Sequence, residues 1–427
     1  MEKISLLGAL SIGVGGMVGG GIFAVLGEAI SLAHGATFIA FFLAGIVALL
    51  TAYAYTKLSL FYRDSGGTVV FIDNAFAHNL LSGSVNFMLW LSYLVTISLY
   101  ASAFASYGET FFTQKSTWLH HLLICVAILL PSLINLVSAT FVSRSESFIV
   151  ALKVALLIVV IGFGFLHIDT SRLDLSAAAA DPFSLIVAGM IIFVAYEGFE
   201  LIANASHQIE RPERNIPRAF YGSVLFVITL YVLISIVTVG GVDEASLMEA
   251  KDYALALAAK PSLGAAGFTL VAVAALFSTF SAINATIYGN ARLGYFLAKE
   301  GIIPTFLSKK KGEIPIDGVI VTTLLSLLLA NTIDLTQIAI IGSAGFLLIF
   351  SIVNIAALRL HEKIGANVFV LVVASLLSIF ALIALLTHTY ATDPHAVWIF
   401  VAFIFISILF ESSYGYFYRK QLFCREY

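Results

Sequence analysis

Only two cysteines, Cys125 and Cys424, occur in 427 residues. One lies in an apolar run and the other in the tail, which excludes a disulfide framework and a thiolate metal site. Charge is scarce: Asp, Glu, Lys and Arg make up 11% of the chain, against about a quarter of a soluble domain. The histidines His34, His120, His121, His388 and His395 are scattered, and none has a second ligand group at metal-binding spacing. No P-loop, zinc-ligand set or nucleophile motif occurs. The net charge of −3 comes without a basic block of the kind that binds nucleic acid. Apolar residues are what the chain has in excess: 60% of it is hydrophobic, with a mean hydropathy of +1.01. A soluble protein of this composition could not cover its surface with polar groups, so the chain reads as an integral membrane protein.

A span needs about 20 mostly apolar residues. Such runs fall near 5–31, 37–61, 79–108, 119–140, 145–167, 183–204, 217–240, 263–291, 315–331, 335–358, 366–387 and 395–417. The expectation is therefore an all-α fold of twelve transmembrane helices, the run 315–331 being short. The opening MEKISLLGALSIG has no small-residue cleavage site and reads as a retained first span. Twelve spans put both termini on one side. Seventeen of the 22 basic residues, from Lys3 through Arg144 and Lys309–Lys311 to Arg425, then share that side, and Lys115, Arg172, Lys251 and Lys260 lie opposite. The positive-inside rule makes both termini cytoplasmic. The segment 241–262 is polar and periodic enough for a short external helix. No loop is long enough for a soluble domain, so function must sit inside the bundle.

Three features are out of place in lipid. Lys153, in ESFIVALKVALLIVV, is the basic residue that belongs to neither side. A charge near the bilayer centre costs about 3 kcal/mol on insertion scales. Either Lys153 snorkels toward the surface near Arg144 and Glu146, or it faces the bundle interior, where it can exchange a proton or occupy the place of a bound cation. Glu197 and Glu200 flank Gly198 in the sixth span, and share one face if that helix is intact; pairing with a basic residue is the plainer alternative. The eighth span carries Ser278, Thr279, Ser281, Asn284, Thr286 and Asn290. Small polar residues often join membrane helices, and Ser278 and Ser281 could also coordinate a cation or an ammonium. The sequons at Asn204 and Asn284 fall in or beside spans and are set aside.

Six of the eleven residues in GVGGMVGGGIF, 13–23, are glycine. Each costs roughly 1 kcal/mol relative to alanine inside a helix. Gly15 and Gly19 have the spacing of a helix-packing face. The first span is thus interrupted at Gly19–Gly21 and the sixth near Gly198, five spans apart. Interrupted segments in corresponding positions point to an inverted-repeat transporter, with spans 1–5 and 6–10 as the halves. Unwound backbone in a membrane must find partners. Freed N–H groups at a half-helix N-terminus suit a carboxylate, freed carbonyls suit an ammonium, and an α-amino acid carries both.

GGMVGGGIF in the first span, AYEGFE and IERPERNIPRA at the sixth, and SAINATIYGNARLGYFLAKEGIIP at the eighth together resemble the amino acid–polyamine–organocation transporter superfamily. The resemblance runs over nearly the whole chain and is nearest the prokaryotic and archaeal proton-coupled, broad-specificity amino acid transporters. It implies the LeuT fold, a 5+5 inverted repeat with broken helices 1 and 6. It also implies that the amides of Gly19, Gly20 and Gly21 hold the substrate carboxylate, a glycine standing where relatives have serine or threonine. The carbonyls of Met17, Val194 and Glu197 would take the α-amino group, and Tyr196 would contribute to gating. Glu200 matches a glutamate implicated in coupling. Lys153 matches a lysine whose ammonium replaces a sodium ion, with contacts expected at the Gly15 carbonyl and at Ser278 or Ser281.

The expectation is one transmembrane unit over 1–427, with helices 1–5 in 5–167, helices 6–10 in 183–358 and helices 11–12 in 366–417. It is a secondary transporter of the cell membrane, moving amino acids inward with protons and needing neither sodium nor a cofactor. Within transport the alternatives are an exchanger or a polyamine carrier. Outside it they are a membrane sensor or scaffold, or a membrane enzyme, for which no catalytic constellation is present. Substrate side chain and oligomeric state stay open. Bulky groups at Gly20 or Gly21 are expected to destroy binding, and Gly13→Ala to be tolerated.

Overall fold

The computed structural model describes residues 3–137, 139–310, 312 and 314–420, with the side chains of 139–148 and 177 also set aside. Arg144, Glu146, Lys311, Cys424 and Arg425, named above, fall outside that description. The described chain is helical. Its helices are α1 (Leu6–Met17), α2 (Gly21–Ala33), α3 (Thr37–Phe61), α4 (Thr68–Phe76), α5 (Leu80–Glu109), α6 (Thr117–Val137), α7 (Ala139–Gly164), α8 (Ser176–Ala180), α9 (Pro182–Ile191) and α10 (Leu201–Asn204). They continue with α11 (Pro212–Gly241), α12 (Glu244–Glu249), α13 (Ala254–Ala258), α14 (Lys260–Lys299), α15 (Ile316–Thr332), α16 (Leu335–Arg359), α17 (His361–Ile364), α18 (Val368–Thr392) and α19 (Pro394–Tyr414). Among the described residues a β-bridge joins Ile4 and Ile209.

Long apolar runs form helices here because lipid offers backbone groups no partner other than the helix itself. Where the helices start, polar side chains take over. Asp181, Asp243, Asp334 and Asp393 each accept amide hydrogen bonds at a helix N-terminus, where a carboxylate also meets the positive end of the dipole. Asn79 and Ser82 form a reciprocal capping box on α5.

Among the described residues ten helical stretches are long and apolar enough to cross a membrane. The expected twelve runs differ from these at two places. The first run is cut at 18–20, leaving α1 short, and α2 continues through a 3₁₀ turn at His34–Ala36 toward α3. The ninth, α15, is an apolar helix of 17 residues. The segment 241–262, expected to be a short external helix, is not one helix: it holds α12, a 3₁₀ turn at Lys251–Tyr253, α13 and the start of α14. At that turn the Lys251 carbonyl sits on Gly27, 2.0 Å from where a Cβ would stand, so position 27 has no room for a side chain.

α5 runs through the centre and packs against α14, α16, α6, α15 and α19. α3 lies along α11, and the α1 half of the first span along α11 and α7. α18 and α19 present Phe369, Leu376, Phe405 and Ile406 outward, as lipid-facing helices do. Amides join the interior helices. Asn354 Nδ2 donates to Thr51 on α3 at 3.1 Å and to Ser378 on α18 at 3.2 Å. Asn135 Nδ2 donates to Asn284 Oδ1 at 2.8 Å, and Asn290 Nδ2 to Thr322 at 3.3 Å. Much of the eighth span's polar content is thus helix-joining.

Candidate functional site: two facing chain breaks

The first break begins where α1 ends at Met17; the chain passes Val18, Gly19 and Gly20 and restarts as α2 at Gly21. The second follows α9. A 3₁₀ turn covers Ile192–Tyr196, Glu197 is extended (φ −63°, ψ 143°), Gly198 has φ +121°, and α10 restarts at Leu201. The intact-helix reading of Glu197 and Glu200 therefore does not apply, because the chain between them is unwound.

Glycine brings the breaks together. A Cβ on Gly198 would lie 2.3 Å from the Gly16 carbonyl carbon, and one on Gly16 would lie 2.7 Å from the Gly198 oxygen. Backbone meets backbone, and φ +121° is a range that side chains disfavour. Gly21 abuts Ala195, whose Cα is 2.7 Å from the would-be Cβ. At Gly20 the corresponding point is 2.2 Å from the Tyr100 ring, so that ring lies flat on the glycine.

The freed backbone groups are satisfied by hydroxyls from intact helices. Tyr231 Oη, on α11, lies 2.7 Å from the Met17 carbonyl and 3.2 Å from the Ala195 carbonyl. One hydroxyl proton thus serves both breaks. Ser278 on α14 donates to the Gly19 carbonyl at 2.7 Å. Ser343 on α16 accepts from Val194 N at 3.0 Å and donates to the Ile191 carbonyl at 2.6 Å. Tyr196 Oη donates to the Phe41 carbonyl at 2.8 Å. At the start of α2 the first amides have no partner within the helix.

The two carboxylates are buried, Glu197 4% and Glu200 1% exposed. Glu200 accepts from Gly198 N at 2.7 Å and from Tyr93 Oη at 3.1 Å, which closes the second break on itself. Tyr100 Oη lies 3.5 Å from Glu197. Lys153 does not snorkel: it is 5% exposed and donates to the Gly15 carbonyl at 3.2 Å. Gly15 permits this, since Val150 of the same helix as Lys153 packs where its Cβ would be.

Met17, Gly19–Gly21, Val194, Tyr196, Glu197 and Glu200 therefore gather at the breaks, Ser278 reaches them from α14, and Lys153 with Gly15 sits one turn before the first break. Ser281 lies on α14, half-buried, a turn beyond Ser278. The sequence reading missed Tyr231, Tyr93, Tyr100 and Ser343. Each is a hydroxyl set in an apolar span, such as VLFVITLYVLISIV around Tyr231.

Comparison with known proteins agrees with this architecture. The amino acid permease family matches residues 4–410. The chain is 33% identical to an uncharacterized protein of Methanocaldococcus jannaschii, covering 97% of this chain and 95% of that one. It is 30% identical to the inner membrane transport protein YbaT of Escherichia coli, covering 93% of each. It is 25% identical to the methylthioribose transporter of Bacillus subtilis, covering 82% and 79%. A multi-pass helical bundle broken twice at facing glycines, matched along nearly its whole length, places this chain in the amino acid permease family of membrane transporters.

Proposed function

We propose that the chain is a proton-coupled amino acid symporter of the cell membrane that works by alternating access. The observation that carries this reading is the pair of facing breaks, with the Met17 and Ala195 carbonyls sharing one tyrosine proton. An ammonium has three donors and would satisfy such carbonyls more fully than the hydroxyl does. The substrate carboxylate would take the amides of Gly19–Gly21 once the Tyr100 ring leaves Gly20. The ammonium would take the carbonyls of Met17, Val194 and Glu197.

Twelve spans follow if α1 with α2 is counted as one broken span and α15 as a short one. A 5+5 inverted repeat over 5–167 and 183–358, with 366–417 appended, is supported by which helices pair. The first span packs on the sixth (α2 on the 192–196 turn), the second on the seventh (α3 on α11), the third on the eighth (α5 on α14) and the fourth on the ninth (α6 on α15). Both termini then lie in the cytoplasm.

Lys153, on the Gly15 carbonyl, is assigned the coupling role, and Ser278, Ser281 and Glu200 are assigned to the same coupling set. As an ammonium it ties α7 to α1 through the Gly15 carbonyl; as an amine it weakens that tie, and α1 can swing. Protons are then the coupling ion and sodium is not required.

The test is uptake into proteoliposomes. Amino acid accumulation is expected to follow an imposed pH gradient and to be unchanged when potassium replaces sodium. Accumulation that requires sodium and ignores pH would overturn the coupling. The relative's name makes methylthioribose the competitor to include; accumulation of it, and of no amino acid, would overturn the substrate class.

A further inference from the structure

We propose a second amino acid site at the outer end of α2, separate from the chain breaks. A cavity of about 330 Å³ opens there between Ile30, His34 and Gly35 of the α2 end, the turn at Ser171–Asp174, the end of α11 at Val239 and Val242, and α12 at Glu244 and Leu247. Its volume lies at the small end of ligand pockets, about 300–1,000 Å³. The proposal rests on the symporter reading in one respect: that reading makes this end external and an amino acid the cargo.

The cavity has a built wall. A Cβ on Gly35 would fall 2.3 Å from the Asp174 carbonyl oxygen and 2.7 Å from the Arg172 carbonyl oxygen. The turn is therefore seated directly on α2's end. His34 is held at φ +48°, a costly conformation for a non-glycine residue, while its Nδ1 contacts Glu244 Oε1 at 2.6 Å.

The lining carries both charges and an apolar floor. Arg172 brings a guanidinium to the lining, and the carboxylate nearest it, Asp169, is 3.9 Å from Nε. Its planar fork thus keeps donors for a bidentate carboxylate. The carboxylates of the lining are Glu244 on α12 and Asp174 on the same turn as Arg172. Hydrogen bonds from the side chain and backbone of Ser176 hold the Asp174 carboxyl below its ordinary value, so that wall stays anionic in mild acid. Ile30, Val239, Val242 and Leu247 supply the floor. A small molecule with a carboxylate, an ammonium and an aliphatic side chain meets all three surfaces. A plain anion meets one. An occupant would also tie the outer end of α2, half of the broken first span, to α12 and the 171–174 turn.

Equilibrium dialysis of the full chain in nanodiscs against an equimolar mixture of the twenty L-amino acids tests this, with bound amino acid counted by mass spectrometry. The wild type should hold two equivalents and Arg172→Ala one. Arg172 is half-buried and its ion pair with Asp169 is 3.9 Å long, so its loss should leave the melting temperature unchanged. Gly20→Trp, which blocks the breaks, should hold one, and the double variant none. At the outer site Arg172→Ala should weaken binding at least tenfold. Binding lost in Arg172→Ala and untouched by Gly20→Trp would sustain the outer site and overturn the central one. Binding lost in Gly20→Trp and untouched by Arg172→Ala would do the reverse. If Gly20→Trp does not fold, the wild type and Arg172→Ala alone decide: equal stoichiometry overturns the proposal, as does an absence of binding. Competition by propionate but not by propylammonium would reduce the site to an anion site and overturn the zwitterion class.

Discussion

The residue scale is where the glycines separate. The G-rich run was legible as a break, and Gly19–Gly21 do lie at it. Gly16 was not, because its partner is Gly198, 182 positions along the chain, and no local pattern announces a backbone contact of that range. Gly198→Ala adds a Cβ 2.3 Å from Gly16 at a positive φ, which strains the backbone by about 1–3 kcal/mol before the clash is counted. Thermal unfolding should show loss of the folded protein or a large drop in melting temperature. Gly162→Ala is the control: nothing lies within 4 Å of its Cβ position, and it should be neutral or stabilising by about 1 kcal/mol. Gly13→Ala, expected from sequence to be harmless, meets Ser223 Oγ at 2.7 Å and Ile202 Cδ1 at 2.8 Å. The Ser223 Cβ also lies 2.9 Å away and cannot shift without its backbone, so a clear loss of stability is expected. Tyr231→Phe leaves two buried carbonyls short of a donor, at a cost of about 1–3 kcal/mol. If a substrate ammonium takes the Met17 carbonyl that Tyr231 serves, amino acid should raise the melting temperature of Tyr231→Phe by more than that of the wild type. An equal shift would place the ammonium elsewhere.

At the scale of elements, α2 is clamped toward its C-terminal end. The Glu28 carboxylate, 5% exposed, lies 2.9 Å from Lys251 Nζ and accepts from Thr336 Oγ1 at the start of α16. Tyr107 Oη on α5 donates to the Phe23 carbonyl at 3.3 Å. Sequence reading placed Lys251 in an external helix, but a clamp that joins residues 28, 251 and 336 has no local signature. Lys251→Met leaves a buried, unpaired carboxylate, and such losses are strongly destabilising. Labelling of a cysteine introduced at Phe23 by an impermeant reagent from outside should be faster in that variant; an unchanged rate would show that the pair does not hold α2. Asp252, beside the clamp and outside the spans, has its pKa raised by burial, with the Lys251 charge pulling the other way. A carboxyl raised in the folded state binds its proton on folding, so its contribution favours the fold at low pH and is lost as pH rises through the folded value. Asp252→Asn should therefore raise the melting temperature at pH 7 and change nothing below the ordinary value of 3.8.

Across the whole molecule, the bundle joins elements that the sequence could only number. Membrane residence and the helical class follow from composition, and the two breaks follow from glycine. The pairing of α3 with α11 and α5 with α14 does not, because lipid-facing and bundle-facing sides of a uniformly apolar helix look alike in sequence. Lys153 was the exception, since a lone cation in an apolar run must turn somewhere, and it turns onto Gly15. Its tie crosses between helices of the first half: α7 stays packed on α11 and α14, whereas α1 ends at the break. On the proposed coupling, a proton exchanged at Lys153 would act on α1, a half-helix that ends at the first break. Lys153→Ala removes the ammonium and keeps the break, the Tyr231 bridge and the amides of α2. Substrate binding and one-for-one exchange across the membrane should survive in that variant, because neither needs net proton movement. Accumulation driven by an imposed pH gradient should be lost. Proteoliposomes separate the two: counterflow of labelled amino acid against internal unlabelled amino acid persists, and uphill uptake into empty vesicles does not. A Lys153→Ala protein that still concentrates amino acid with protons would move the coupling site elsewhere, and Glu200, closed on Gly198 and Tyr93, would be the next carboxylate to remove.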